Sequence, residues 1–338
     1  MRPGSTPRRF FATLPGMASA PVDAPLVVRG LSKSYRVGHV LQKTRPALED
    51  LDLDVLRGEI LGYVGPNGSG KTTTLKLIVG LLYPDRGEGW VLGEPLGARG
   101  WRHRVGYLPE HPYLYDYLSP AEYLDYVGRL FGLSAPRRRE RSRELLALVG
   151  LERAADLPMR RFSKGMVQRA GLAQALVNDP ELLILDEPMS GLDPIGRRLV
   201  RDLIAEQRKA GKTVLFSTHI LSDAETLCDR VAVLRSGRLL KVGPLADLLR
   251  IDVAHVEILA SGIPVSAVAL DATDRCEQVG ERLRLEVAEG RLGRVVAAIE
   301  AAGGRVLSVQ PIRQSLEDYF FREMGAPRPG GADAWGEG

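Results

Sequence analysis

Gly65-Pro66-Asn67-Gly68-Ser69-Gly70-Lys71-Thr72 fits the pattern G-x-x-x-x-G-K-[ST], and it restricts the fold more than any other stretch of the chain. The run before it, Ile60 to Val64, is short and wholly apolar, as a buried strand requires. After it Leu75, Ile78, Val79 and Leu82 recur at helical spacing, and Pro84 with Gly87 closes the predicted helix. The glycines let the backbone curl so that successive N–H groups and the helix N-terminus converge on phosphate oxygens. Lys71 adds charge, and the Thr72 hydroxyl can ligate Mg²⁺.

Further strands end on chemistry in the same way. Leu182 to Leu185 is an apolar run delivering Asp186 and Glu187 at its C-terminal end, where ligands of parallel sheets sit. Asp186 is suited to a Mg²⁺ shell and Glu187 to polarising an attacking water. Thr213 to Ser217, another buried run, ends in Thr218-His219, and His219 is placed to reach the same phosphate. With Leu199 to Arg208 read as a helix, and with strands at Leu26 to Leu31 and Leu48 to Val55, the alternation of strands and helices predicts a mostly parallel sheet flanked by helices. Between about 111 and 178 the spacing is mainly helical, with a Ser and Gly turn at Phe162 to Gly165 opening a helix to about Asn178. The arginines from Arg137 to Arg143 read as a solvated helix start.

Composition excludes several other classes. Lys and Arg total 46 against 42 Asp and Glu, a charge of +4 that gives no case for nucleic acid in a chain of 338 residues. No apolar window approaches the roughly 18 residues of a membrane-spanning helix. Cys228 and Cys276 lack CxxC spacing and the five histidines do not cluster, so neither a disulfide framework nor a zinc site is expected. Residues 1–25 read as a flexible leader without a signal-peptide core, with Met17 a second candidate start. The character changes near residue 250. Beyond it come strands at Val253 to Leu259 and Leu283 to Val287, a helix at Leu292 to Ala302, a strand at Val306 to Val309 and a helix opening at Ser315. The expected organisation is a domain over 26–250 with a helical subdomain at about 111–178, a small α+β domain over 251–324, and a disordered tail over 325–338.

Taken together, the motifs resemble those of the ATP-binding cassette (ABC) transporter ATPases. Gly65 to Thr72 matches the Walker A loop, Ser163-Lys164-Gly165-Met166 the signature and Leu182 to Asp186, followed by Glu187, Walker B. Ser190-Gly191-Leu192-Asp193 matches the D-loop and His219 the switch histidine. The resemblance covers about residues 26 to 245 and is closest to single-cassette subunits that serve separate ABC-2 type permeases. It implies a P-loop NTPase core and a cycle in which two cassettes, here a homodimer, close on ATP and reopen on hydrolysis. Lys71, Glu187 and His219 would carry catalysis. Gly65, Pro66, Asn67, Gly68, Ser69, Gly70, Lys71, Thr72 and Thr73 would hold the phosphates, with Tyr35 stacked on adenine. Thr72, Asp186 and Glu110 would hold Mg²⁺, and Ser163, Lys164, Gly165, Met166 and Asp193 would complete the second subunit's site.

Two positions depart from the family's usual pattern: the signature reads Ser-Lys-Gly-Met rather than Ser-Gly-Gly-Gln, and Glu110 stands where a glutamine is common. Both are read as variants of a working ATPase. The resemblance also implies a location at the cytoplasmic face of the membrane, held by a permease. Tyrosines crowd the region after Glu110, and Tyr113, Tyr115 and Tyr117 are the expected docking patch, while the i, i+3 pair Tyr123 and Tyr126 is assigned to the subdomain core. The alternative is a soluble cassette acting in translation control or DNA repair.

Overall fold

Two long strands come first among the described residues, β1 (Leu26–Val37) and β2 (Lys43–Val55), antiparallel from Leu26 opposite Val55 to Val37 opposite Lys43. The computed structural model describes residues 24–37, 43–248, 255–265, 268, 275–280 and 282–311. The expected helix from Ser315, the tail and most of the leader lie outside them. Both strands outrun the apolar stretches that announced them, because their distal halves are polar and pair through backbone hydrogen bonds that leave no hydropathy signal.

β3 (Ile60–Val64) is buried at every position and leads through the glycine loop into α1 (Lys71–Ile78). The helix ends sooner than the spacing through Leu82 implies. Gly80 turns at φ 72°, and the N–H groups of Gly80 and Leu81 donate back to Leu77 O and Lys76 O, closing the C-terminus as a left-handed cap does. Leu82 still packs on the core, but from the loop. Next come β4 (Arg86–Val91) and β5 (Glu94–Pro95), which extend β2 and β1 into an antiparallel sheet of order β2-β1-β4-β5. β4 begins Arg-Gly-Glu-Gly, too polar to read as a strand.

The remaining elements of this unit are β6 (Val105–Leu108), α2 (Pro120–Leu130), α3 (Ala135–Leu148), α4 (Lys164–Ala175), β7 (Leu182–Asp186), α5 (Pro194–Lys209), β8 (Thr213–Thr218), α6 (Leu221–Leu227), β9 (Arg230–Arg235) and β10 (Arg238–Pro244). They complete a sheet of order β10-β9-β3-β8-β7-β6, parallel except for the hairpin partner β10. β7 and β8 are, like β3, buried throughout, which is why they read as continuous apolar runs. Their C-terminal ends lie side by side: Asp186 pairs in register with Ser217, and Val64 with Thr218.

The helical segment is ordered by its caps. Ser119 and Glu122 form a reciprocal capping box on α2. The arginine run on α3 is only partly the solvated face expected. Arg137 pairs with Glu140 on the surface, but the half-buried Arg138 bonds Asp125 of α2 at 2.6 Å and Arg141 donates to Leu176 O at 2.7 Å.

A second compact unit starts at Ala246. After α7 (Leu245–Leu248), β11 (His255–Ser261), β12 (Arg275–Val279), β13 (Arg282–Ala288) and β14 (Arg305–Pro311) form an antiparallel sheet of order β12-β13-β11-β14. Val256, Ile258, Leu283, Leu285 and Val287 pack in one apolar cluster with Val295 and Ile299 of α8 (Leu292–Ala301). β12 adds a strand to the three expected, its Arg-Cys-Glu-Gln-Val sequence showing no clear apolar face.

Candidate active site

The glycine loop is shaped by close backbone approaches. A Cβ on Gly65 would stand 2.3 Å from Leu234 O, and one on Gly70, which caps α1 at φ 109°, would stand 2.4 Å from Ala47 O. At the base of the loop Lys71 is 6% exposed and donates to Gly65 O at 2.7 Å. A cleft of about 280 Å³ opens here, lined by Ala47, Asn67, Gly68, Gly70, Lys71, Thr72, Thr73, Glu110 and Glu187. Tyr35, on β1, brings its hydroxyl to 3.4 Å from Thr73 Oγ1 and leaves its ring partly exposed beside the loop.

Asp186 ends β7 with no solvent exposure. Its Oδ1 accepts the Ser217 hydroxyl at 2.6 Å, while Oδ2 has no hydrogen-bond partner. Burial raises its pKa above the ordinary carboxylate value and the negative charges of Glu110 and Glu187 add to that, against the Ser217 and Thr72 hydroxyls. A buried carboxylate with one free oxygen, beside a hydroxyl and a second carboxylate, fits a hard cation. Among the described residues no three His, Cys, Asp or Glu side chains could hold a metal alone.

Glu187 is bound on all sides. Its backbone sits at φ 47°, sparsely populated for a residue with a side chain, and such strain persists only where neighbours hold it. Its N–H donates to Ser217 Oγ at 3.0 Å, and Gln168 Nε2 from α4 donates to its carbonyl at 3.4 Å and to that of Pro188 at 3.3 Å. Its carboxylate faces two nitrogens, Oε2 at 2.9 Å from His219 Nδ1 and Oε1 at 3.3 Å from the Lys71 ammonium Nζ. Burial alone would raise the Glu187 pKa, but His219 and Lys71 together bring it below the ordinary value. The hydrogen bond to Glu187 in turn raises the pKa of His219. The result is a carboxylate of lowered pKa held in one orientation beside the glycine loop.

The signature and D-loop residues lie outside the lining of this cleft. Ser163 Oγ accepts the Met166 N–H at 3.3 Å and caps α4, as Asp193 caps α5 by accepting the Gly196 N–H at 2.8 Å. Lys164 lies across the D-loop: a Cβ on Gly191 would stand 2.7 Å from its Cε. Gly165 faces Leu192, with 3.3 Å between a Cβ there and the leucine methyl. Sequence reasoning gives no role to Ser217 or Gln168, although the hydroxyl and amide grip the turn at Glu187. The available signal was burial, since a serine within an apolar strand needs a partner.

The tyrosine patch needs one correction. Tyr123 is core, its hydroxyl bonded to Gln174 at 3.0 Å, but Tyr126 is 40% exposed and packs edge-on against Tyr115 rather than inward. Residues three apart on a helix differ by about 60° around its axis, enough to put one in the core and the other at its rim. Tyr113, Tyr115 and Tyr117 are all exposed. A wider groove of about 850 Å³ between α2 and α3 is lined by Asp125, Arg138 and Arg143 among others and contains none of the phosphate-loop residues.

Residues 48–190 match the ABC transporter family. An uncharacterised ABC transporter ATP-binding protein of Nostoc sp. is 42% identical over 330 residues, 93% of this chain and 94% of that protein. The Nod factor export ATP-binding protein I of Cupriavidus metallidurans is 38% identical over 90% of this chain and 98% of its own length. Among solved structures, an ATP-binding subunit of an ABC transporter aligns at TM-score 0.59 with 38% identity, covering 67% of this chain and 92% of that one. A dimeric ATP-binding cassette in a post-hydrolysis state, bound to ADP and Pi, aligns at 0.61 with 26% identity, covering 65% of this chain and 98% of that one.

Proposed function

The chain belongs to the ABC transporter family of ATP-binding subunits, and on that premise we propose that the cleft under the glycine loop is where it binds and hydrolyses ATP. It is an ATPase with a P-loop fold. Gly65 to Thr73 cradle the phosphates with backbone N–H groups, Lys71 neutralises them and Tyr35 stacks on the adenine. Thr72, Asp186 and Glu110 would hold Mg²⁺, which supplies charge neutralisation at the transferring phosphoryl group. Glu187 takes a proton from water as the water oxygen bonds to the γ-phosphorus and the bond to ADP breaks. His219 holds Glu187 in place and presents positive charge to the γ-phosphate.

The observation that carries this reading is Glu187 held ionised between His219 Nδ1 at 2.9 Å and Lys71 Nζ at 3.3 Å. A related cassette solved as a dimer supports pairing of two copies. In that arrangement the Ser163-capped end of α4, with Lys164, Gly165, Met166 and Asp193, completes the site of the other subunit. We assign the ATPase to residues 26–250, its helical subdomain to about 111–178, and a separate α+β module to 251–324. A separate membrane permease docks near Tyr113, Tyr115 and Tyr117 and holds the chain at the cytoplasmic face. No described helix is long and apolar enough to cross a membrane. The relatives compared are transporter subunits, one named for export, which favours this reading over a soluble cassette.

Two variants test it. Lys71→Ala should lose nucleotide binding or turnover, and unchanged ATPase activity would refute the loop assignment. Glu187→Gln with ATP and Mg²⁺ should accumulate as a dimer in size exclusion. A species that stays monomeric with and without permease would count against closure on ATP.

A further inference from the structure

The helices that follow the D-loop and the switch histidine are tied together by a buried carboxylate outside the catalytic set. α5 begins at Pro194, directly after Asp193, and α6 begins at Leu221, two residues after His219. Asp223, in the first turn of α6, is 2% exposed, and its Oδ1 lies 3.5 Å from Arg201 Nη1 on α5. Arg197, one helical turn nearer the D-loop, also acts on Asp223 electrostatically, as do Glu187 and His219. Its Oδ2 accepts no hydrogen bond. Stability alone does not account for this side chain, because a buried ion pair is often no better than an apolar pair of the same volume, and a half-satisfied one is worse. A buried charge bridging two helices is better suited to fixing one relative to the other.

We propose that Asp223 is a positioning residue for hydrolysis, holding the start of α6, and with it His219, to the arginine face of α5. Displacement of the D-loop when a second cassette docks is then passed through Arg197 and Arg201 to the His219–Glu187 pair. Thr218 Oγ1 helps to make the link stiff, since it accepts the Ile220 N–H at 3.0 Å and leaves little slack between His219 and α6.

This inference rests on the ATPase reading, and the experiment separates the two. Full-length wild type, Asp223→Asn, Arg201→Gln and the double variant are compared in steady-state ATPase assays and in equilibrium binding of a fluorescent ATP analogue. Asp223→Asn should lower kcat by about tenfold or more while KM and the analogue Kd stay within about twofold. The double variant should be no worse than the more damaged single variant, because both changes cut one link. Asp223→Glu should recover part of the lost kcat. If Asp223→Asn does not fold, Arg201→Gln, altered at a more accessible side chain, carries the same expectation. Wild-type kcat in Asp223→Asn, equal loss of binding and kcat, or multiplicative losses in the double variant would overturn the proposal. A wild-type protein without ATPase activity would instead overturn the reading on which it stands.

Discussion

His219 Nδ1 lies 2.9 Å from Glu187 Oε2, so the imidazole and the carboxylate form one hydrogen-bonded pair at the ends of two adjacent strands. The pair raises the His219 pKa above its ordinary value of about 6.5. A group with a raised folded pKa binds its proton more tightly when folded. Its stabilisation is therefore complete below the unfolded pKa and disappears as pH rises through the folded one. The difference in Tm between wild type and His219→Gln should be largest near pH 6 and shrink steadily toward pH 9. A pH-independent difference would mean that the imidazole contributes only packing.

Ser217 is the second support of the turn at Glu187. Its hydroxyl donates to Asp186 Oδ1 at 2.6 Å and accepts the Glu187 N–H at 3.0 Å. In Ser217→Ala both groups stay buried with no replacement partner. The expected loss of stability is about 2 kcal/mol, together with a lower kcat as Glu187 leaves its left-handed conformation. Urea unfolding and an ATPase assay on the same preparation check it. A variant that loses stability but keeps kcat would show that Ser217 does not position Glu187.

Gln168 should behave differently, because it grips backbone carbonyls and not the carboxylates. Gln168→Leu removes the donor to Glu187 O and Pro188 O while roughly keeping the volume. Turnover should fall by about tenfold with nucleotide affinity kept, since the phosphate loop is untouched. Titration with a fluorescent ATP analogue followed by single-turnover hydrolysis separates the two quantities.

These supports also mark where sequence reasoning stops. Ile60 to Val64, Leu182 to Leu185 and Thr213 to Ser217 are legible because strands buried on both faces are continuous apolar runs. The glycine loop is legible because its chemistry requires its letters. The grip of Gln168 on a carbonyl 19 residues away is not, since backbone acceptors carry no residue identity. β4 and β12 escape for a related reason: Arg-Gly-Glu-Gly and Arg-Cys-Glu-Gln form strands by pairing with a neighbour rather than by burying a face. Tyr126 lies at the rim rather than in the core because helical spacing gives a direction around the axis but not the depth of the neighbour it meets.

The loop glycines should separate into two classes. At Gly70, φ 109° and a Cβ 2.4 Å from Ala47 O make alanine both strained and sterically blocked by backbone. At Gly68, φ is 76° and nothing lies within 4 Å, so alanine meets only the left-handed penalty of about 1–2 kcal/mol. Gly70→Ala should abolish analogue binding, while Gly68→Ala should fold and bind with reduced affinity. Equal behaviour of the two would mean that the close approach to β2 does not set the loop.

The exposed tyrosines offer the test furthest from the chemistry. Tyr115 stacks with Tyr117, Tyr123 and Tyr126 at centroid distances of 5.7–6.1 Å, so it is anchored at one edge and open at the other. Tyr113 and Tyr117 project further, at 93% and 64% exposure, without comparable support. Exposed aromatic clusters with one anchored member suit a surface that buries a partner, because their area is large and their rotamer entropy small. Replacing Tyr113 and Tyr117 with serine should leave folding and basal ATPase activity of the isolated chain unchanged, since neither lines the cleft. On the proposed docking, wild type should retain a membrane permease from detergent extracts and the same double variant should fail to retain it. Retention at wild-type levels would move the docking surface elsewhere on the cassette.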